Sequence, residues 1–181
     1  MRVPYGKESE VAEAIAANDT IASYVALRSE SIIKDGQRRL LLKSALPNTL
    51  FAYAREEELN RICLKPVSLP NHPTHQPGHL RFMYDHTRKN QQGFDEKMTV
   101  PFEQMLSFIR VTMQQDEHTR IYLSNAFSAK QGDMVEVIDG KFRGVRGRVA
   151  RLHGQTCILV ELEGLCVAST AYVPKAFLKK I

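Results

Sequence analysis

The chain has 181 residues, of which 43% are hydrophobic and 25% charged, so it can build a packed core. No apolar run approaches the roughly 20 residues of a membrane-spanning helix. The first residues also lack the basic and apolar pattern of a secretory signal, so a soluble, cytoplasmic protein is expected. A net charge of +5 fits a phosphate-bearing or acidic protein partner and demands neither.

In chain order, Lys7 to Ala17 spaces Val11, Ala14 and Ile15 three and four apart among acids, which predicts an amphipathic helix. Ile21 to Leu27 is rich in Ile, Val and Tyr and predicts a strand. Asp35-Gly36 predicts a turn leading to strands over Arg39 to Ala45 and Leu50 to Ala54. Arg55 to Cys63 opens with three glutamates and predicts a short helix. Pro66 to Gly78 holds four prolines and two histidines, with His79 next in the chain, and predicts a loop. His79 to His86 alternates as a strand does, and the polar stretch Arg88 to Lys97 predicts a hairpin or loop. Pro101 suits a first helical turn, and Phe102, Met105, Leu106, Ile109 and Met113 follow at helical spacing. Ile121 to Leu123 predicts an edge strand in a polar stretch.

From Gly132 the residues read Gly-Asp-Met-Val-Glu-Val-Ile-Asp-Gly-Lys-Phe-Arg-Gly-Val-Arg-Gly-Arg-Val. Val135 and Val137 alternate with polar neighbours as a half-buried strand does, Asp139-Gly140 predicts a turn, and Phe142 returns to the core. Gly144 and Gly147 permit a sharply bent second strand. Arg148 to Leu152, Cys157 to Leu162 and Cys166 to Val173 predict further short strands, and together these elements predict a small closed five-stranded barrel. Gly132, Asp133, Val135, Val137, Asp139, Gly140, Phe142, Gly144, Gly147 and Val149 resemble the KOW motif. Tyr172-Val173-Pro174 and Phe177 to Ile181 resemble the closing strand of NusG C-terminal domains. KOW modules serve both transcription and translation.

Arg2-Val-Pro-Tyr-Gly-Lys-Glu resembles the end of the first strand and the start of the first helix in NusG N-terminal domains. Leu46-Pro-Asn-Thr-Leu-Phe-Ala-Tyr resembles a later strand of that family, with Asn48-Thr49 standing where the family has glycine and tyrosine. Tyr84-Asp85-His86, Thr99-Val-Pro and Ala168 to Phe177 bring the resemblance nearest to the UpxY-type paralogues, which antiterminate capsular polysaccharide operons. The resemblance implies an α+β chain with a NusG-type mixed sheet and flanking helices over 1–115, a linker over 116–130 and an SH3-like KOW barrel over 131–181. It further implies an operon-specific antiterminator that binds the clamp helices of RNA polymerase through Tyr5, Leu46, Pro47, Thr49, Leu50 and Phe51. Strand alternation assigns about half of those residues to the core instead. A general NusG-like factor coupling polymerase to the ribosome or to Rho, and a ribosome-associated RNA-binding KOW protein, are the alternatives.

Arg38, Arg39 and Lys43, and separately Arg143, Arg146, Arg148 and Arg151, form basic clusters that are candidate nucleic-acid contacts or solvated faces. His72, His75 and His79 are separated by prolines that prevent one helix face from converging them, so no metal site is expected. Cys63, Cys157 and Cys166 form no CxxC pair and are read as small core hydrophobes. Nucleophile–base pairs, paired carboxylates and phosphate loops lack supporting context, so neither an enzyme nor a cofactor is expected, and a monomer is. Some specialised NusG paralogues fold the C-terminal module as a helical hairpin. Here Gly140, Gly144, Gly147, Gly154 and Gly164, with many valines, disfavour helix, so the barrel is expected.

Overall fold

The computed structural model describes residues 1–64, 80–114, 116, 118–124, 127, 128 and 131–181. The loop expected over Pro66 to Gly78 and the three histidines lie outside the described residues. The fold is mixed α and β, with three α-helices and four sheets among the described residues. It divides into two compact units, Met1–Met98 and Thr99–Ile181.

The first unit opens with α1 (Glu8–Ala16), followed by β1 (Ala22–Tyr24), β2 (Leu27–Lys34), β3 (Gln37–Ser44), β4 (Phe51–Tyr53), α2 (Glu56–Leu64), β5 (Tyr84–Lys89) and β6 (Asp95–Lys97). Val11 and Ile15 of α1 are buried with Val3, Ile21, Leu50 and Leu80, and Leu59 and Ile62 of α2 pack against them. The expected helix face is therefore the one that packs. Residues 1–3 act as a short bridge between two segments. The Leu50 N–H donates to the Met1 carbonyl at 3.0 Å and the Val3 N–H to the Asn48 carbonyl at 3.0 Å, while Arg2 and Arg81 exchange backbone hydrogen bonds of 2.7 and 3.1 Å. β1 pairs with β4, and β5 with β6. The strand expected over His79 to His86 begins only at Tyr84, while Arg81 ahead of it forms an isolated bridge with Arg2.

β2 and β3 form a two-stranded hairpin in register from Leu27↔Ser44 to Lys34↔Gln37. Asp35 and Gly36 at its tip have φ of 54° and 74°, the left-handed values that a two-residue hairpin turn requires. A hairpin with no third strand is marginal by itself. Here a Lys43–Glu30 ion pair of 2.9 Å and an Arg38 Nε–Ser31 Oγ hydrogen bond of 2.6 Å tie its strands across the two faces.

The second unit contains α3 (Phe102–Met113), β7 (Arg120–Leu123), β8 (Gln131–Val137), β9 (Arg146–Leu152), β10 (Gln155–Leu162), β11 (Cys166–Ser169), a 3-10 turn over Lys175–Phe177, and β12 (Leu178–Lys180). Its strands pair in one six-stranded sheet of order β12-β8-β9-β10-β11-β7. The closed barrel expected from the sequence is thus replaced, among the described residues, by a ladder with two free ends. β7 takes the outer edge of β11 in antiparallel register, Ser169↔Arg120 to Cys166↔Leu123.

β7 falls inside the expected linker, and α3, expected to complete the N-terminal domain, packs on β9, β10 and β11. Those strands call for such a cover. Cys157 to Val160 and Cys166 to Ser169 are buried at every successive position, and side chains alternate across a strand, so both faces of the sheet must be shielded there. The helix buries Ser107, Phe108, Val111 and Thr112, while Phe102 and Met113 of the expected apolar stripe are exposed. Small polar residues fit this close face because they find partners. Ser107 Oγ accepts the Arg146 N–H at 3.1 Å, and the Thr112 hydroxyl donates to the Phe108 carbonyl at 2.8 Å.

Candidate functional site

Each residue expected to contact polymerase lies where two segments of the first unit meet. Leu46, Thr49 and Leu50 are buried and Phe51 is half-buried against Tyr24, their ring centroids 6.5 Å apart. Leu50 belongs to the core, which removes it, with Leu46 and Thr49, from an exposed patch. Tyr5, 78% exposed, and Pro47, also exposed, remain at the surface. They lie two residues and one residue along the chain from the Val3–Asn48 hydrogen bond that joins their segments. The joint is locked by buried Glu8, whose Oε1 accepts the Asn48 N–H at 2.7 Å, while Asn48 Nδ2 donates to the Val3 carbonyl at 3.2 Å. Asn48 adopts φ of 60°, a conformation that asparagine tolerates better than most residues. Its presence in place of glycine is thereby accommodated.

In the second unit Val135, Val137 and Phe142 are buried and Val149 is half-buried, whereas Gly132 and Asp133 are exposed on β8. Asp133 pairs with Lys180 at 3.1 Å, linking β8 to the final strand. Asp139 Oδ1 accepts the Gly140 N–H at 2.7 Å, and the loop closes when the Gly144 N–H donates to the Val137 carbonyl at 2.7 Å. Gly144 therefore sits in this loop and not in the second strand, as the sequence had suggested. Gly147 does occupy that strand. A Cβ there would stand 2.2 Å from the Leu159 carbonyl oxygen, so only glycine permits β9 and β10 to approach as they do.

The basic clusters are partly engaged within the chain. Arg146 Nε donates to Glu136 at 2.9 Å and Arg151 Nε to the Gly154 carbonyl at 3.2 Å, while Arg143 is exposed. Arg38 and Lys43 are tied to Ser31 and Glu30 as described, and Arg39 is exposed.

Two features escaped the sequence reading. One is the exposed apolar face of the β2–β3 hairpin, where Ile33, Leu40 and Leu42 are 81%, 75% and 57% exposed. The other is an open cleft of about 260 Å³ in the second unit, lined by His118, Arg120, Tyr122, His153 and Tyr172 among others. These five residues come from β7 and the segment before it, the β9–β10 turn and the segment after β11. No local sequence signal brings these together.

Cys63, Cys157 and Cys166 are free thiols. Burial pushes the Cys166 thiol up to about 12 and raises those of Cys157 and Cys63. Because these raised values favour the neutral thiol in the fold, their contribution is fully present below about pH 8.5 and is lost as pH rises through the folded values. Native protein at pH 8 is expected to react with a disulfide reagent first at half-buried Cys63. Cys157 and Cys166 should react at least tenfold more slowly, as timed by mass spectrometry; equal rates would contradict their burial. Among the described residues no cluster of three or more His, Cys, Asp or Glu side chains is placed to hold a metal, and no helix is long and apolar enough to cross a membrane. Comparison with protein-family models and with curated proteins finds no match to the chain.

Proposed function

We propose that the chain is a NusG-type elongation factor, an N-terminal polymerase-binding domain followed by a KOW module, acting as an operon-specific antiterminator. The observation that carries this reading is the C-terminal ladder. The residues that resemble a KOW motif occupy β8, the loop closed on Val137 and the start of β9, with Gly147 at a contact that admits no side chain. On this reading Tyr5 and Pro47, the two exposed members of the expected patch, lead the contact with the clamp helices. Binding across the DNA channel would disfavour the paused conformation of polymerase, a population shift without chemical catalysis.

The test is binding of the full chain to a purified clamp-helix fragment of RNA polymerase. Tyr5→Ala with Pro47→Ala is expected to weaken binding about tenfold, the scale of one or two well-buried interface anchors, while leaving the circular dichroism spectrum unchanged. Failure of the folded wild-type chain to bind would overturn the reading. Uniform occupancy over all transcribed genes would favour a general elongation factor over an operon-specific one.

The cleft of Arg120, His118, His153, Tyr122 and Tyr172 favours a second reading, an RNA-contacting KOW protein, because cationic and aromatic groups together suit phosphate and base. Copurification with ribosomes, and not with polymerase, would select it.

A further inference from the structure

The register of the β2–β3 hairpin sorts its residues into two unlike faces. Residues directly opposite share a face and alternate along each strand. Ile33, Leu40 and Leu42 therefore lie on one side with Ser29, Ser31 and Arg38, while Arg28, Arg39 and Lys43 lie on the other with Glu30, Ile32 and Leu41. Of the residues named, the first side carries three apolar residues and one cation, and the second three cations, one acid and two apolar residues. Residues 27–44 carry five Lys or Arg against two Asp or Glu. Both faces are largely exposed, and the hairpin pairs with no third strand among the described residues.

We propose that this hairpin inserts into a cleft of a protein partner, with an apolar wall against Ile33, Leu40 and Leu42 and an acidic wall against Arg28, Arg39 and Lys43. Three considerations select this occupant. First, one face of a hairpin with two eight-residue strands covers only about 270 Å² by strand rise and spacing, well under the roughly 800 Å² per partner of a stable interface. Stacking two copies of the apolar face falls short, whereas a cleft that engages both faces and the tip approaches the required area. Second, the hairpin's excess of positive charge repels a second copy and complements an acidic wall. Third, the hairpin carries no aromatic residue for stacking on nucleic-acid bases, and phosphate contact would leave its exposed leucines and isoleucine in water. Apolar and basic residues on opposite sides also cannot both engage one flat lipid surface.

The assignment of this cleft to RNA polymerase rests on the function proposed above, and makes the hairpin a second contact separate from Tyr5 and Pro47. The experiment titrates the labelled full chain with purified core RNA polymerase and, in parallel, with the clamp-helix fragment. Ile33→Ser/Leu40→Ser/Leu42→Ser and Arg28→Glu/Arg39→Glu alter exposed side chains, and thermal melts within a few degrees of wild type verify that each variant is folded. Each variant is expected to bind core polymerase at least tenfold more weakly, and the serine variant to bind the clamp-helix fragment as wild type does. Unchanged binding of both folded variants to core polymerase would overturn the hairpin contact while leaving the polymerase reading intact. Loss with the charge variant alone would overturn the two-walled cleft in favour of phosphate or surface attraction. Absence of any wild-type binding to core polymerase would overturn both proposals.

Discussion

Gly147→Ala is expected to destabilise the second unit by about 3 kcal/mol or more, at the upper end of what overpacking costs. The added Cβ would meet the Leu159 carbonyl oxygen at 2.2 Å and Ile158 Cγ2 at 2.8 Å. The first of these is a backbone atom in the adjoining strand of the ladder, so relief requires β9 and β10 to separate and to give up hydrogen bonds. Gly132→Ala is the matched control. There the nearest atom is the Val149 carbonyl oxygen at 3.3 Å, and a small adjustment suffices. Urea unfolding followed by circular dichroism, with amide exchange over β8 to β10, should show a large loss for Gly147→Ala and a much smaller one for Gly132→Ala. Equal effects would mean that the tight strand contact is absent.

Phe108→Ala is expected to cost about 3–5 kcal/mol, the usual range for deleting a buried aromatic ring. Its side chain is fully buried on the face of α3 that covers the sheet, beside fully buried Val111. The location of the damage matters as much as its size. Amide protection should fall in β9, β10 and β11 while α1, β1 and β4 keep theirs, because α3 packs within the second unit. The reverse pattern would return the helix to the N-terminal domain, where the sequence had placed it.

Helix α3 shows what periodicity can and cannot convey. The apolar spacing of Phe102, Met105, Leu106, Ile109 and Met113 establishes a helix. It does not choose between that stripe and the neighbouring one, where Ser107 and Thr112 become tolerable only because partners satisfy their hydroxyls. Strand β8 was legible because Val135 and Val137 point inward and Glu136 does not, the alternation of a half-covered sheet. Strand β2 was hidden for the opposite reason. Arg28-Ser-Glu-Ser lies in a hairpin exposed on both sides, and without a buried face there is no apolar alternation to read. The run Leu40-Leu41-Leu42 lies in a strand, as expected over Arg39 to Ala45, and all three residues are exposed. At the candidate site, alternation predicted that part of the set Tyr5 to Phe51 would be core. It could not say which members, because the N-terminal bridge that buries Leu50 comes from a segment nearly fifty residues away.

The order of strands in the second unit has a consequence for how that unit assembles. β8, β9, β10 and β11 follow one another as a meander, each pairing with its neighbour in sequence, so their loops are short and cheap in entropy to close. The outermost strands join from afar. Leu123 of β7 meets Cys166, and Lys180 of β12 meets Val135, pairs separated by over forty residues in each case. The meander should therefore form early and the two margins late, and the same margins should open first in the native protein, exchanging their amides well before the interior strands do.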